Sequence, residues 1–222
     1  MFAINHAAAA LPLKRRFPEA PLPLLLLSVQ AIEILWVVLN LIGVESTRTE
    51  ASVRYVGDIH LSHMPWSHSV GGALLVAGLI AGGLAVAGRR KLALAMGLGV
   101  LSHLVLDLLT HAPDIALFPP WVNAKVGTGL YPQWPLIAFF VEFAFALWCW
   151  RVFQGSRGLL ILLVAFNLAN LTLFLPNVAG PEALLSGRPL VLAALIGVQI
   201  AVTLTLVGLL AREKVPGTNT AG

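Results

Sequence analysis

His103, Asp107 and His111 stand four residues apart in SHLVLDLLTHAPD, residues 102–114, a run that is otherwise almost wholly apolar. That spacing places them on one face of a helix, each a turn above the last. An ionisable side chain at membrane depth costs about 2.5 to 3.5 kcal/mol on insertion scales, so three on one stripe call for charged partners or a metal ion. Neutral imidazoles with carboxylates suit zinc, and a catalytic zinc takes three protein ligands and leaves a position for water. Water bound in this way ionises near neutral pH and attacks an ester or phosphodiester. The same donor types recur at Glu33, His63, His68, Asp114 and Glu142.

The elements that must position these groups are membrane helices. Of 222 residues, 58% are hydrophobic and 11% charged, with a mean hydropathy of +0.87, whereas soluble domains carry about 25% charged residues. The composition predicts an all-α, polytopic integral membrane protein forming a single domain over residues 1–222. Residues 1–20 read as a cytoplasmic tail, and apolar runs of near-spanning length predict about six helices, at 22–44, 68–87, 92–111, 136–153, 158–175 and 190–211. The last two, with a short C-terminal tail, occupy 156–222. The first run is too long for the core of a signal peptide. Cys149, the single cysteine, lies between Trp148 and Trp150 and reads as a packing residue. The net charge of +4 reflects short basic clusters flanking apolar runs, which indicates membrane orientation rather than nucleic-acid binding.

Basic residues set that orientation. Lys14, Arg15, Arg16, Arg89, Arg90, Lys91, Arg151, Arg157, Arg212 and Lys214 fall on one side, and Arg48, Arg54, Lys125 and Arg188 on the other. The first group is the cytoplasmic one by the positive-inside rule, so both termini are expected inside and both long polar connections outside. The helix carrying the stripe then travels outward, with His111 at the outer interface and His103 about 12 Å deeper. His68 opens its helix at the same surface, and Glu33 and Glu142 approach the depth of His103. Several separated histidines and carboxylates can therefore converge on one cavity in the outer half of the membrane.

Each group also has a plainer reading. His60, His63 and His111 taken singly suit a membrane interface, as do Trp66, Trp121, Tyr131 and Trp134. His103 and Asp107 can form a structural hydrogen bond, Glu33 and Glu142 can be protonated packing residues or a proton relay, and Asp58 and Asp114 can be loop caps. Asn167 and Asn170 suit hydrogen bonds between helices. No Gly-x-Ser-x-Gly elbow is present, which argues against a serine nucleophile at Ser67 or Ser69.

HMPWSHS at 63–69, SHLVLDLLTHAPD at 102–114 and GTGLY at 127–131 together resemble the small bacterial membrane-bound metal-dependent hydrolases, which look related to the LexA-binding, inner-membrane-associated hydrolases. The similarity covers about residues 22–155, including Glu33 and the Gly43-Val44-Glu45 step. It implies an inner-membrane location, and it implies His68, His103 and Asp107 as metal ligands, with His111 and Asp114 close behind. Related members often carry a His-Arg pair ahead of a Thr-His-Ser motif. Here the stretch is His63-Met64-Pro65-Trp66-Ser67, so an arginine that would bind a phosphate is missing.

The resulting expectation is a metal-dependent hydrolase, its site opening to the outer leaflet. His68, His103 and Asp107 would hold a divalent metal, zinc by donor type, with Asp114, Glu33 and His63 as further ligand candidates and His111 or Glu142 as general base or orienting group. At this depth a lipid ester or phosphoester is the natural substrate class, and the bilayer is the expected partner. Two rivals stand beside it: a proton- or cation-coupled transporter or channel using the intramembrane His, Asp and Glu groups, and a membrane scaffold with a structural metal.

Overall fold

The computed structural model describes residues 1–178 and 180–211. It is mostly helical, with two small hairpins. In chain order the elements are α1 (Ala3–Arg16), α2 (Leu22–Val29), α3 (Ala31–Leu41), β1 (Ser46–Thr49), β2 (Ile59–His63), α4 (Val70–Val86), α5 (Arg90–Thr110), β3 (Ile115–Phe118), β4 (Val122–Val126), α6 (Leu130–Gln133), α7 (Pro135–Phe153), α8 (Arg157–Ala169) and α9 (Pro189–Leu210). The C-terminal tail expected beyond residue 211, with Arg212 and Lys214, lies outside the described residues.

Local chemistry sets the boundaries. The Ser69 hydroxyl accepts the Gly72 amide and caps α4, and Ser156 caps α8 through the Leu159 amide. Pro135 and Pro189 open α7 and α9, where a missing amide hydrogen is harmless. Gly88, at φ +76°, turns the chain between α4 and α5. Gly72 is required for a different reason, since a β-carbon there would stand 2.0 Å from the Trp66 carbonyl oxygen.

Among the described residues, three helices are long and apolar enough to cross a membrane: α5 with 21 residues, α7 with 19 and α9 with 22. A fourth span is formed if α2 and α3, bent by 54° at Gln30, count as one broken helix. The expectation of six spans is therefore not supported. Helix α8, with 13 residues, is only about 20 Å long at 1.5 Å per residue, against a hydrocarbon core of about 30 Å. Its predicted continuation becomes a 3-10 turn at Leu171–Phe174, and α4, at 17 residues, is also short. Apolar side chains such as Leu79, Phe140, Ile161 and Val198 face outward, as expected for a surface bathed in lipid.

Residues expected to form a tail instead form α1, which lies inside the bundle. Every residue from Ala3 to Leu11 is buried, with α2, α5, α7, α8 and α9 packed around the helix. Its alanines are small enough to admit neighbours on all sides. The helix ends in Lys14, Arg15 and Arg16, close to the α4–α5 turn, where Lys91 pairs with Glu19 at 3.1 Å. The first residues of α1 thus lie at the opposite end from this basic cluster, deep in the bundle.

The two connections expected to be polar loops contain the hairpins. β1 pairs antiparallel with β2, and β3 with β4. A bridge between Ser69 and Ala116 ties the start of α4 to the second hairpin, and the Asp114 carboxylate accepts the Leu61 amide at 3.1 Å, tying that hairpin to the first. Together they brace the end of α5 that carries the polar stripe.

Candidate metal centre

Helix α5 contributes His103 and Asp107, both buried, with His103 Nε2 3.1 Å from Asp107 Oδ2. The break between α2 and α3 supplies two more groups. Because the helical ladder stops at Gln30, the Val29 carbonyl is free to accept a hydrogen bond from His103 Nδ1 at 2.8 Å. Glu33 lies in the first turn of α3, where the positive end of the helix dipole favours a carboxylate. Its Oε2 stands 3.4 Å from His103 Nε2 and 3.2 Å from His68 Nε2.

His68 lies just ahead of α4 and is buried, with its Nε2 3.6 Å from Asp107 Oδ2. Its Nδ1 meets the Ser67 hydroxyl at 3.1 Å. That hydroxyl donates its own hydrogen to Glu45 Oε2, so His68 Nδ1 must be the donor to Ser67. Glu45 is itself held by the amides of Trp66 and Ser67, at 2.8 and 2.9 Å. The chain Glu45–Ser67–His68 therefore fixes the tautomer in which Nε2 carries a lone pair. The Val29 carbonyl does the same for His103.

These residues fit a divalent cation. His103 Nε2 is buried and has no hydrogen-bond partner, yet it faces two carboxylate oxygens. In the neutral ring, with the proton on Nδ1, it turns a lone pair toward them that a cation standing between would take up, while a ring protonated on both nitrogens would satisfy the same oxygens. The ligating atoms of Glu33, His68 and His103 all lie within 4.8 Å of one another. Zinc, manganese or iron suits a set of two imidazoles and carboxylates.

The structure thus brings together His68, His103, Asp107 and Glu33. His111 stands beside them, half-buried at the end of α5, with Nε2 3.6 Å from Asp107 Oδ1 and Nδ1 3.9 Å from Asp114 Oδ1. Burial pushes its imidazole down to about 3. Asp114 faces His111 and braces the hairpin through Leu61, and burial raises its carboxyl above the ordinary range.

His63 and Glu142 do not join the cluster. His63 is exposed on β2, opposite Ser46. Glu142 is buried on α7, where it accepts hydrogen bonds from the Tyr131 hydroxyl, from Asn5 Nδ2 at 2.7 Å and from the Phe2 amide at 3.0 Å. Asn5 and Asn167 exchange two further bonds of 3.0 Å. Glu142 therefore anchors the start of α1 to α7 and, through Asn5, to α8.

One participant was missed in the sequence. His6, on α1, places Nε2 3.1 Å from Asp107 Oδ1 and stacks on His103 with ring centroids 3.7 Å apart. The Met1 nitrogen reaches the same oxygen at 2.5 Å. A signal was available: His6 interrupts an apolar run, Ala3 to Leu11, that ends in a basic cluster, which is the pattern of a membrane-embedded helix. A cavity of about 390 Å³ reaches the centre, with Glu33, His68, His111 and Tyr131 at its polar end and Trp36, Leu192, Leu195 and Ile196 along its walls.

A family model described as YdjM inner membrane protein matches residues 10–177, a stretch that includes Glu33, His68, His103, Asp107 and His111 but not His6. No curated protein and no solved structure matches the chain.

Proposed function

The chain belongs to the YdjM inner membrane protein family, and from that premise we propose that it is a metal-dependent membrane hydrolase acting on an ester or phosphoester of a lipid. The observation that carries this reading is the buried, unpartnered Nε2 of His103 facing Glu33 and Asp107. His68, His103, Glu33 and Asp107 would hold the metal, zinc being the best match to the donors. When bound, zinc lowers the pKa of water and polarises a carbonyl or phosphoryl oxygen.

The chain's own residues supply orientation. Val29 and Ser67 hold the two imidazoles in their ligating tautomers. His111, which lines the polar end of the cavity and is faced by Asp114, would accept a hydrogen bond from a reacting water and align it. The apolar walls of the cavity suit a lipid tail, with its polar group directed at the histidines. The positive-inside rule, applied to the basic clusters Lys14–Arg16 and Arg89–Lys91, supports a cytoplasmic position for that end of the bundle and a site facing the outer leaflet.

Metal analysis of the protein purified in detergent without chelators tests the reading, together with release of fluorophore from labelled phospholipids. The expected result is stoichiometric metal, hydrolysis that a chelator abolishes and its recovery on adding zinc. Protein that binds no divalent metal would overturn the proposal. A finer check is Ser67→Ala, which frees His68 Nδ1 while Glu45 keeps its two amide donors. Metal affinity should fall about 10- to 100-fold, as for other supports of metal-bound histidines, with thermal unfolding little changed. Unaltered affinity in a competition titration would remove Ser67 from the account.

A further inference from the structure

The two oxygens of Asp107 face different groups. Oδ2 meets His103 and His68, which with Glu33 complete the ligand set described above. Oδ1 meets His6 Nε2 at 3.1 Å, and nothing in the hydrolase reading uses that contact. The rings of His6 and His103 are stacked nearly parallel, 8° apart, at 3.7 Å. Adjacent metals in two-metal centres stand about 3.5–4 Å apart, which is the same offset. The ligating atoms of His6, His103 and Asp107 lie within 4.8 Å of one another, so they form a group that overlaps the first through His103.

We propose a second divalent-cation position, held by Asp107 Oδ1 and His6 Nε2, with Asp107 as a carboxylate bridging two cations. This inference rests on the reading of the first set as a metal site. One imidazole nitrogen cannot bind two metals, so His103 stays with the first cation and its stacked neighbour serves the second. Oδ1 already attracts a positive group, the Met1 nitrogen, which a cation there would displace. Buried ionisable groups in a membrane bundle are costly, and in the tautomer with the proton on Nδ1 a cation at this position would give His6 Nε2 and the second oxygen of Asp107 a common partner in place of their direct contact.

The two positions differ in strength. The first has four protein ligand atoms and two imidazoles with fixed tautomers. The second has two protein ligand atoms, and His6 Nδ1 has no hydrogen-bond partner to fix its ring. Water and substrate oxygens would fill the rest of its coordination shell, so the second cation binds more weakly and leaves first.

The test uses the full chain in detergent, stripped with chelator and then equilibrated with Mn²⁺ as the probe. Bound manganese is counted per chain, and the low-temperature paramagnetic resonance spectrum is recorded. The expected result is two manganese ions per chain, bound in separate steps, with the broadened spectrum of a coupled pair. His6→Ala should bind one ion and show the six-line pattern of an isolated one. A wild-type chain that binds a single ion, or two that are uncoupled, overturns the second position and leaves the first intact. Binding of none overturns both. A His6→Ala chain that keeps the coupled pair also overturns the proposal. Should that variant fail to fold, His6→Asn replaces it, and the wild-type count and spectrum decide without either.

Discussion

On the proposed metal-dependent hydrolase reading, replacing Asp107 with asparagine is expected to strip the cluster of most of its metal and to lower hydrolysis by roughly 10³-fold, since a bound metal supplies several kcal/mol of transition-state stabilisation and each 1.36 kcal/mol is tenfold in rate. Asp107 is the one carboxylate on which both halves of the cluster converge. One oxygen lies 3.1 Å from His103 and the other 3.1 Å from His6. Asparagine keeps the shape but removes the charge and turns one of the two acceptors into a donor. Breaking a buried charge pair on one side costs about 3–5 kcal/mol, so the variant should also melt earlier. Metal per folded chain is therefore the deciding measurement, taken by elemental analysis after size exclusion. An Asp107→Asn chain that retains full metal would show that the cluster binds none through this residue.

Glu142→Ala is expected to destabilise the protein by about 3 kcal/mol, at the upper end of what an unsatisfied buried network costs. The substitution orphans the Tyr131 hydroxyl, the Phe2 amide and one Asn5 donor. Since those groups hold the start of α1, the loss should spread to the position of His6. Glu142→Gln keeps an acceptor and should recover most of the stability. The comparison separates a structural role from a catalytic one: thermal melting reports the first, and hydrolysis per folded chain the second. A Gln variant with unchanged melting and no hydrolysis would return Glu142 to the reaction.

How much of this was legible in the sequence depends on range. His103 and Asp107 are i and i+4 on one helix, so their meeting followed from helical geometry. Their meeting with His68 and Glu33 was anticipated from depth and motif resemblance, and the structure does bring those residues together. His63 and Glu142 were candidates for the same reasons. The hairpin instead leaves His63 exposed, and a hydrogen-bond network turns Glu142 toward Asn5 and Tyr131. Depth specifies a level in the bundle, and it does not specify which way a side chain points around the helix.

The same limit explains the count of spans. Apolar length predicts that a segment avoids water, and α5, α7 and α9 satisfy that and are long enough to span. It cannot tell a straight span from the bend at Gln30, which frees the Val29 carbonyl for His103, or from a short helix such as α8. Nor does it show that an alanine-rich helix with a basic end is surrounded on all sides. The mostly helical, membrane-embedded character of the chain and the polar stripe on α5 were written in composition and local spacing, because both follow from transfer free energy and helical periodicity. The joining of His6 to that stripe was decided by packing alone, because it depends on five helices closing around α1, a contact across 101 residues of chain.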